Sequence, residues 1–150
     1  YYIGEYEVAL EAFNKYNELV PGDIDVLWYL MYTHDGLGNW KEVVAYSDQI
    51  IALDPTQIDA YYYKGSVLVD LDKPEEAGNV FDTLIEKFPE SPSGYYGKSR
   101  TFMYMEQKEE ALELLAKAVE IDPSYGDWAY EDPMFYNVIE DETFLEIIGY

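Results

Sequence analysis

At 150 residues the chain is long enough for one domain with a sizeable core, and 49% hydrophobic with 17% aromatic residues argue against disorder despite the charge. Nine Lys and Arg against 31 Asp and Glu give a formal charge of −22, a field that repels nucleic-acid phosphates and anionic membrane surfaces, keeps the chain soluble and steers basic partners toward it. The lack of cysteine excludes disulfides, thiolate metal sites and cysteine nucleophiles, and no stretch approaches the roughly 18 apolar residues of a membrane span.

In residues 1–20, Val8, Ala9, Ala12, Phe13, Tyr16 and Leu19 recur at i, i+3, i+4 spacing before Pro21, which predicts an amphipathic helix stopped by the proline. After the Gly22-Asp23 turn a helix is expected from Ile24 to about Tyr32, broken at Gly36-Leu37-Gly38-Asn39. Trp40 opens the next, running through Val43, Ile50 and Leu53 to Asp54-Pro55. The alternation then recurs: Tyr61 to Leu71, a break at Asp72-Lys73-Pro74, and a helix through Ala77, Phe81 and Leu84 to Phe88-Pro89. A helix from Ser91-Pro92 to Met105 leads across Glu106-Gln107-Lys108 into Ala111, Leu115, Ala118 and Ile121, ending at Asp122-Pro123. Pro74 and Pro92 suit first turns, where a missing N–H costs nothing, with Ser91 as N-cap. The tail carries short apolar bursts around Trp128, Phe135, Val138, Phe144 and Ile147, with Asp132 as an N-cap before Pro133. It is expected to close the end of the array, with Trp128 and Phe144 as core and a binding role for either as the alternative.

The prolines at 21, 55, 89 and 123 stand 34 residues apart, which marks a repeat. Stacked at that period, columns of the second helix read Ala9, Val43, Ala77, Ala111; Phe13, Ser47, Phe81, Leu115; and Tyr16, Ile50, Leu84, Ala118. Columns of the first helix read Leu27, Tyr61, Tyr95; Met31, Gly65, Ser99; and His34, Leu68, Phe102. Small residues let paired helices approach and large ones fill the space between pairs.

These columns resemble the tetratricopeptide repeat family, with Tyr61, Gly65, Leu68, Ala77, Phe81 and Pro89 in one unit and Tyr95, Ser99, Phe102, Ala111, Leu115, Ala118 and Pro123 in the next. Met31, Val43 and Ser47 depart from the pattern, as do Lys64 and Lys98 where the family prefers leucine. The resemblance implies an all-α fold, a right-handed superhelix (α-solenoid) of antiparallel helix pairs with a 34-residue period. One domain over 1–150 is expected, with a trailing half-repeat at 1–23, full repeats at 24–57, 58–91 and 92–125, and a C-terminal cap at 126–150. The Asp-Pro-x-Phe ending is similar to that of many bacterial repeat proteins, so a bacterial origin is expected. The chain opens in mid-pattern, which leaves room for a targeting segment upstream; the cytoplasm is the favoured location.

Catalysis finds little footing. His34 is the single histidine and shares a packing column. The carboxylate pairs Asp23/Asp25, Asp70/Asp72 and Glu109/Glu110 and the run Glu140-Asp141-Glu142 lack the spacing of a calcium loop and suit solvated helix termini. Gly36-Leu37-Gly38 lacks the lysine and context of a phosphate loop. No catalytic residue, metal or cofactor is expected, and a surface remains.

In the family the resemblance names, the first helix of each pair lines a concave face that holds extended peptides or a partner's helix. It places there the columns Asp25, Asp59, Ser93, Asp127; Trp28, Tyr62, Tyr96, Tyr130; Tyr32, Ser66, Arg100, Met134; and Gly36, Asp70, Tyr104, with Tyr2 ahead of them. The candidate groove is therefore Asp25, Trp28, Tyr32, Asp59, Tyr62, Ser66, Tyr96, Arg100, Tyr104 and Tyr130. Aromatics beside carboxylates suit a protein or peptide segment bearing Lys or Arg, through ion pairs and cation–π contacts of ~0.5–2 kcal/mol each. The alternative is that these tyrosines only pack along the wall with their hydroxyls wet. The columns lack the Lys, Asn and Arg of the repeats that clamp acidic chaperone tails. Arg100, the sole arginine, is expected to neutralise Asp59 or Asp70, with receipt of a ligand carboxylate as the alternative. The expected function is a non-enzymatic protein–protein interaction scaffold with no nucleic-acid partner and no membrane insertion. An assembly or self-association module built on the residue 1–20 helix is the second reading, and a regulatory repeat region serving a catalytic domain elsewhere is the third.

Overall fold

The computed structural model describes the backbone of residues 2–150 and the side chains from residue 4 onward. Nine α-helices follow one another among the described residues: α1 (Tyr2–Leu19), α2 (Ile24–Gly36), α3 (Trp40–Leu53), α4 (Ile58–Asp70), α5 (Pro74–Lys87), α6 (Pro92–Tyr104), α7 (Lys108–Ile121), α8 (Ser124–Glu131) and, after a 3-10 turn at Pro133–Val138, α9 (Glu142–Ile148). Helices α2/α3, α4/α5 and α6/α7 form antiparallel pairs, and α3 on α4 and α5 on α6 join one pair to the next, so the array is an all-α right-handed solenoid. Helix α1 packs on α2 at one end, and α8 and α9 pack on α7 at the other. No described helix is long and apolar enough to cross a membrane.

Helix α2 runs four residues past the expected Tyr32 because Thr33 and His34 are buried, Thr33 Oγ1 donating to Tyr29 O and His34 stacking on Tyr46 of α3, and hold the last turn in place. Each first helix then ends on the same device. Gly38, Asp72 and Glu106, 34 residues apart, take left-handed φ values of 70°, 58° and 60°. The N–H of the following residue, Asn39, Lys73 or Gln107, reaches back to the carbonyl of His34, Leu68 or Phe102, each at 2.9 Å. Starts are capped by carboxylates where these precede a helix: Asp23 accepts from the Asp25 N–H, Asp132 from Met134, and Asp141 from Thr143 and Phe144. Ser91 has the extended backbone of a cap but makes no side-chain capping bond; its own N–H goes to Phe88 O.

The core follows the columns. Val43, Ala77 and Ala111 are all fully buried, as are Ile50, Leu84 and Ala118. Phe81 inserts between the backbones of two first helices, facing Gly65 on α4 and Gly97 on α6, where a side chain would collide with its ring. The out-of-pattern pair is compensated by volume: the bulky Met31 stands where Gly65 and Ser99 are small, and opposite it Ser47 replaces the large residue, its Oγ 3.3 Å from Met31 Sδ and donating to Val43 O. Lys64 and Lys98 also acquire a reason. Lys64 pairs with Asp48 at 2.6 Å and Lys98 pairs with Asp82, each reaching the second helix of the preceding pair, so the same ion pair recurs one repeat on.

Candidate binding groove

Helices α2, α4 and α6 hold equivalent places in successive pairs, and α8 follows them in the chain. All four line a cavity of about 460 Å³. From α2 it takes Tyr32 and Asp35; from α4, Asp59, Tyr62, Tyr63, Ser66, Val67 and Asp70; from α6, Ser93 and Arg100; from α8, Tyr125 and Trp128. A neighbouring depression of about 350 Å³ shares Tyr32 and Asp59 and adds Asp25, Trp28, Tyr29 and Gln57. The α2–α4 wall is aromatic: Trp28 stacks on Tyr32 at 5.5 Å, and Tyr63 meets Tyr32 edge-on at 5.5 Å.

Of the sequence-derived candidates, Tyr32, Asp59, Tyr62, Ser66 and Arg100 line the cavity, and Asp25 and Trp28 line the depression beside it. Three lie elsewhere. Tyr96 is buried beneath the groove floor, its hydroxyl donating to Asp132 Oδ2 at 2.8 Å and its ring against Tyr125 and Phe135. Tyr104 sits at the exposed end of α6 with its hydroxyl on Asp72 at 2.8 Å. Tyr130 stacks on Tyr150 at 5.2 Å, outside the cavity. Tyr104 falls away because, at the last residue of α6, its hydroxyl turns to Asp72 in the preceding pair's loop; Tyr130 falls away because the column rule assumes an unbroken period, and α8 packs against α9 beyond it. Tyr2 lies outside the described side chains.

Arg100 is paired, but not with Asp59 or Asp70. Its Nε lies 2.7 Å from Asp132 Oδ2, and the two side chains are 27% and 12% exposed. Asp132 belongs to the tail, beyond the repeat register, so no column could supply it. It caps the 3-10 turn through Oδ1 and holds Arg100 and Tyr96 through Oδ2, which ties the cap to the groove floor. Burial opposes the charge of Arg100, but Tyr62, Asp132 and Tyr96 outweigh it and keep the guanidinium's pKa above its ordinary value. Burial, then Asp132, pushes the Tyr96 phenol well up.

With Arg100 matched by Asp132, the remaining charges lining the cavity are Asp35, Asp59 and Asp70. Asp35 has its pKa raised by burial first and by Asp70 second. Tyr32 is raised by burial, then by Tyr63 and Asp59. No group of three His, Asp or Glu among the described residues has the geometry to hold a metal ion. His34 lies in the packing column as expected: it is buried and stacked on Tyr46 at 5.4 Å, and burial lowers its pKa.

Sequence reasoning missed Tyr63, Asp35 and Tyr125, and gave Trp128 a binding role only as the alternative to the core. Tyr63 and Asp59 are one turn apart on α4, a spacing that puts them on one face. The tail pattern assigns Trp128 to the core with Phe144; Phe144 is fully buried, but Trp128 is 54% exposed and faces the cavity.

Two family models described as tetratricopeptide repeat match the chain, over residues 59–91 and 92–125. Among solved structures it is similar to MamA residues 41 to the end from Desulfovibrio magneticus RS-1, at 24% identity and a TM-score of 0.72 over 96% of this chain and 82% of that one. TTC0263, a thermophilic repeat protein of the same kind in Thermus thermophilus, aligns at 18% identity and TM-score 0.74, over 98% of this chain and 81% of its own. YrrB, described as a repeat protein with an unusual peptide-binding site, aligns at 21% identity and TM-score 0.66, over 97% and 75%. At these identities the likeness is one of fold.

Proposed function

We propose that this chain, whose residues 59–91 and 92–125 match tetratricopeptide-repeat models, is a protein–protein interaction scaffold whose groove holds a peptide or partner segment bearing Lys or Arg. The observation that carries this reading is that three carboxylates share one cavity with tyrosine and tryptophan rings while the only arginine is already matched by Asp132. A cationic side chain entering the cavity would meet carboxylates and rings that attract it through their faces. The repeat array of YrrB, described as peptide-binding, supports the mode of use. The reading assigns no chemistry to the chain.

Calorimetric titration of an Arg- and Lys-bearing synthetic peptide at ~0.15 M salt, where the Debye length is about 8 Å, tests it. The double variant Asp59→Asn/Asp70→Asn is expected to weaken binding about tenfold, as is Trp28→Ala if the segment extends into the neighbouring depression. Glu109→Gln/Glu113→Gln, in a separate hollow between α7 and α9, removes the same net charge outside the groove and should leave affinity unchanged. If the groove and α7 variants weaken binding equally, the overall field and not the groove is responsible.

An exposed apolar set on α1 favours self-association as a second reading. Val8 and Leu19 are 70% and 76% exposed, and Tyr16 is 45% exposed although Ile50, Leu84 and Ala118 of its column are fully buried. Sedimentation at increasing concentration tests this, and a monomer throughout would sink it.

A further inference from the structure

The tail does more than close the array. Trp128 carries a large apolar surface at 54% exposure, yet its position is fixed from behind. Its ring lies 4.5 Å from that of Tyr125, which is buried and shares a hydrogen bond of 3.0 Å with Ser93 Oγ on α6. Next to it Gly126 lets α8 settle on α9 so closely that an added Cβ would stand 3.2 Å from Ile148 O. A rigid, exposed indole facing a cavity is a preorganised contact, because little freedom is left to lose on binding.

We propose that α8 is the selective wall of the groove, and that Trp128 receives the guanidinium of a ligand arginine in preference to a lysine ammonium. This rests on the groove reading above. The same cavity presents Asp59 in the first turn of α4 and Asp70 at its last residue, about 16 Å further along the helix, so a guanidinium on the indole meets at most one of them and a neighbouring arginine the other. A planar guanidinium lies flat on an indole while its edge N–H groups reach a carboxylate, whereas an ammonium is a compact, strongly hydrated charge that satisfies one demand at the cost of the other.

The test uses the full chain and two acetylated, amidated peptides of identical Gly-Ser framework, one carrying three arginines and the other three lysines. Wild type is expected to bind the arginine peptide roughly three- to tenfold more tightly than the lysine peptide. Trp128→Ala should weaken the arginine peptide about tenfold and abolish the preference, while Trp128→Phe keeps part of it. The side chain is half out of the protein, so circular dichroism should show the variant folded. Should Trp128→Ala retain the preference while Asp59→Asn/Asp70→Asn weakens both peptides, the clamp is wrong and the groove stands. Should neither peptide bind wild type, or the double aspartate variant bind both as wild type does, the groove reading itself falls.

Discussion

Gly97→Ala isolates the contact that spaces the last two repeats. The ring of Phe81, 1% exposed, is held between α4 and α6: a Cβ built at Gly65 would lie 2.5 Å from Phe81 Cζ, and one at Gly97 would overlap Cε1 more severely still. The ring cannot yield toward either helix, because the other glycine backs it. Alanine gains about 1 kcal/mol over glycine in a helix interior from backbone entropy alone. Overpacking a close-packed core costs about 1–3 kcal/mol, and a ring pinned on both sides belongs at the upper end of that range. The net expectation is a loss of about 2 kcal/mol, or roughly 4–8 °C in melting temperature for a chain of this size. Gly78→Ala on α5 is the control: it lies in a helix with nothing within 4 Å of the added methyl, so the same substitution should stabilise. Phe81→Leu, costly alone through the cavity it leaves, should partly rescue Gly97→Ala, with a coupling of about 1–2 kcal/mol in a thermal or urea double-mutant cycle. If Gly97→Ala melts at or above wild type, or the two substitutions are additive, the wedge is not what sets the spacing of α4 and α6.

Asp132→Asn keeps the cap but leaves Arg100 without its counter-charge, and should cost about 2–3 kcal/mol in urea unfolding, with Asp132→Ala losing about 1 kcal/mol more through the cap; an unchanged midpoint would mean the pair is only incidental. Asp35 has a folded pKa above its unfolded value, so ionising it costs stability at neutral pH and the cost is gone once pH falls below the ordinary carboxylate value of 3.8. Asp35→Asn is therefore expected to raise the melting temperature at pH 7 and to lose that advantage as pH drops through 4 to 3, the reverse of what a stabilising carboxylate would do. Glu106, at φ 60° without the side-chain bond that Asp72 makes to Tyr104, should become more favourable by about 1 kcal/mol on substitution by glycine, and a melting curve that does not move would refute strain at that turn.

Much of this architecture is legible in one dimension because each repeat touches only its neighbours. The proline spacing sets the register, and the register tells Ala77, Phe81, Leu84, Ala111, Leu115 and Ala118 that they are buried without any long-range contact being known. It also carries Tyr32, Asp59, Tyr62, Ser66 and Arg100 to one cavity, since equivalent turns of equivalent helices must face the same way. The same logic stops where the period stops. Asp132, Tyr125 and Trp128 belong to a tail with no earlier copy to align with, so the counter-ion of Arg100 and one wall of the groove could not be read from spacing. Nor does a column reveal that Met31 and Ser47 exchange volume, or that Lys64 and Lys98 each answer an aspartate of the preceding pair, because those facts concern two side chains meeting across helices. Periodicity assigns a residue its face. What stands opposite that face depends on how the helices are set against one another, and for Trp128 that setting turned an expected core residue into the exposed edge of the groove.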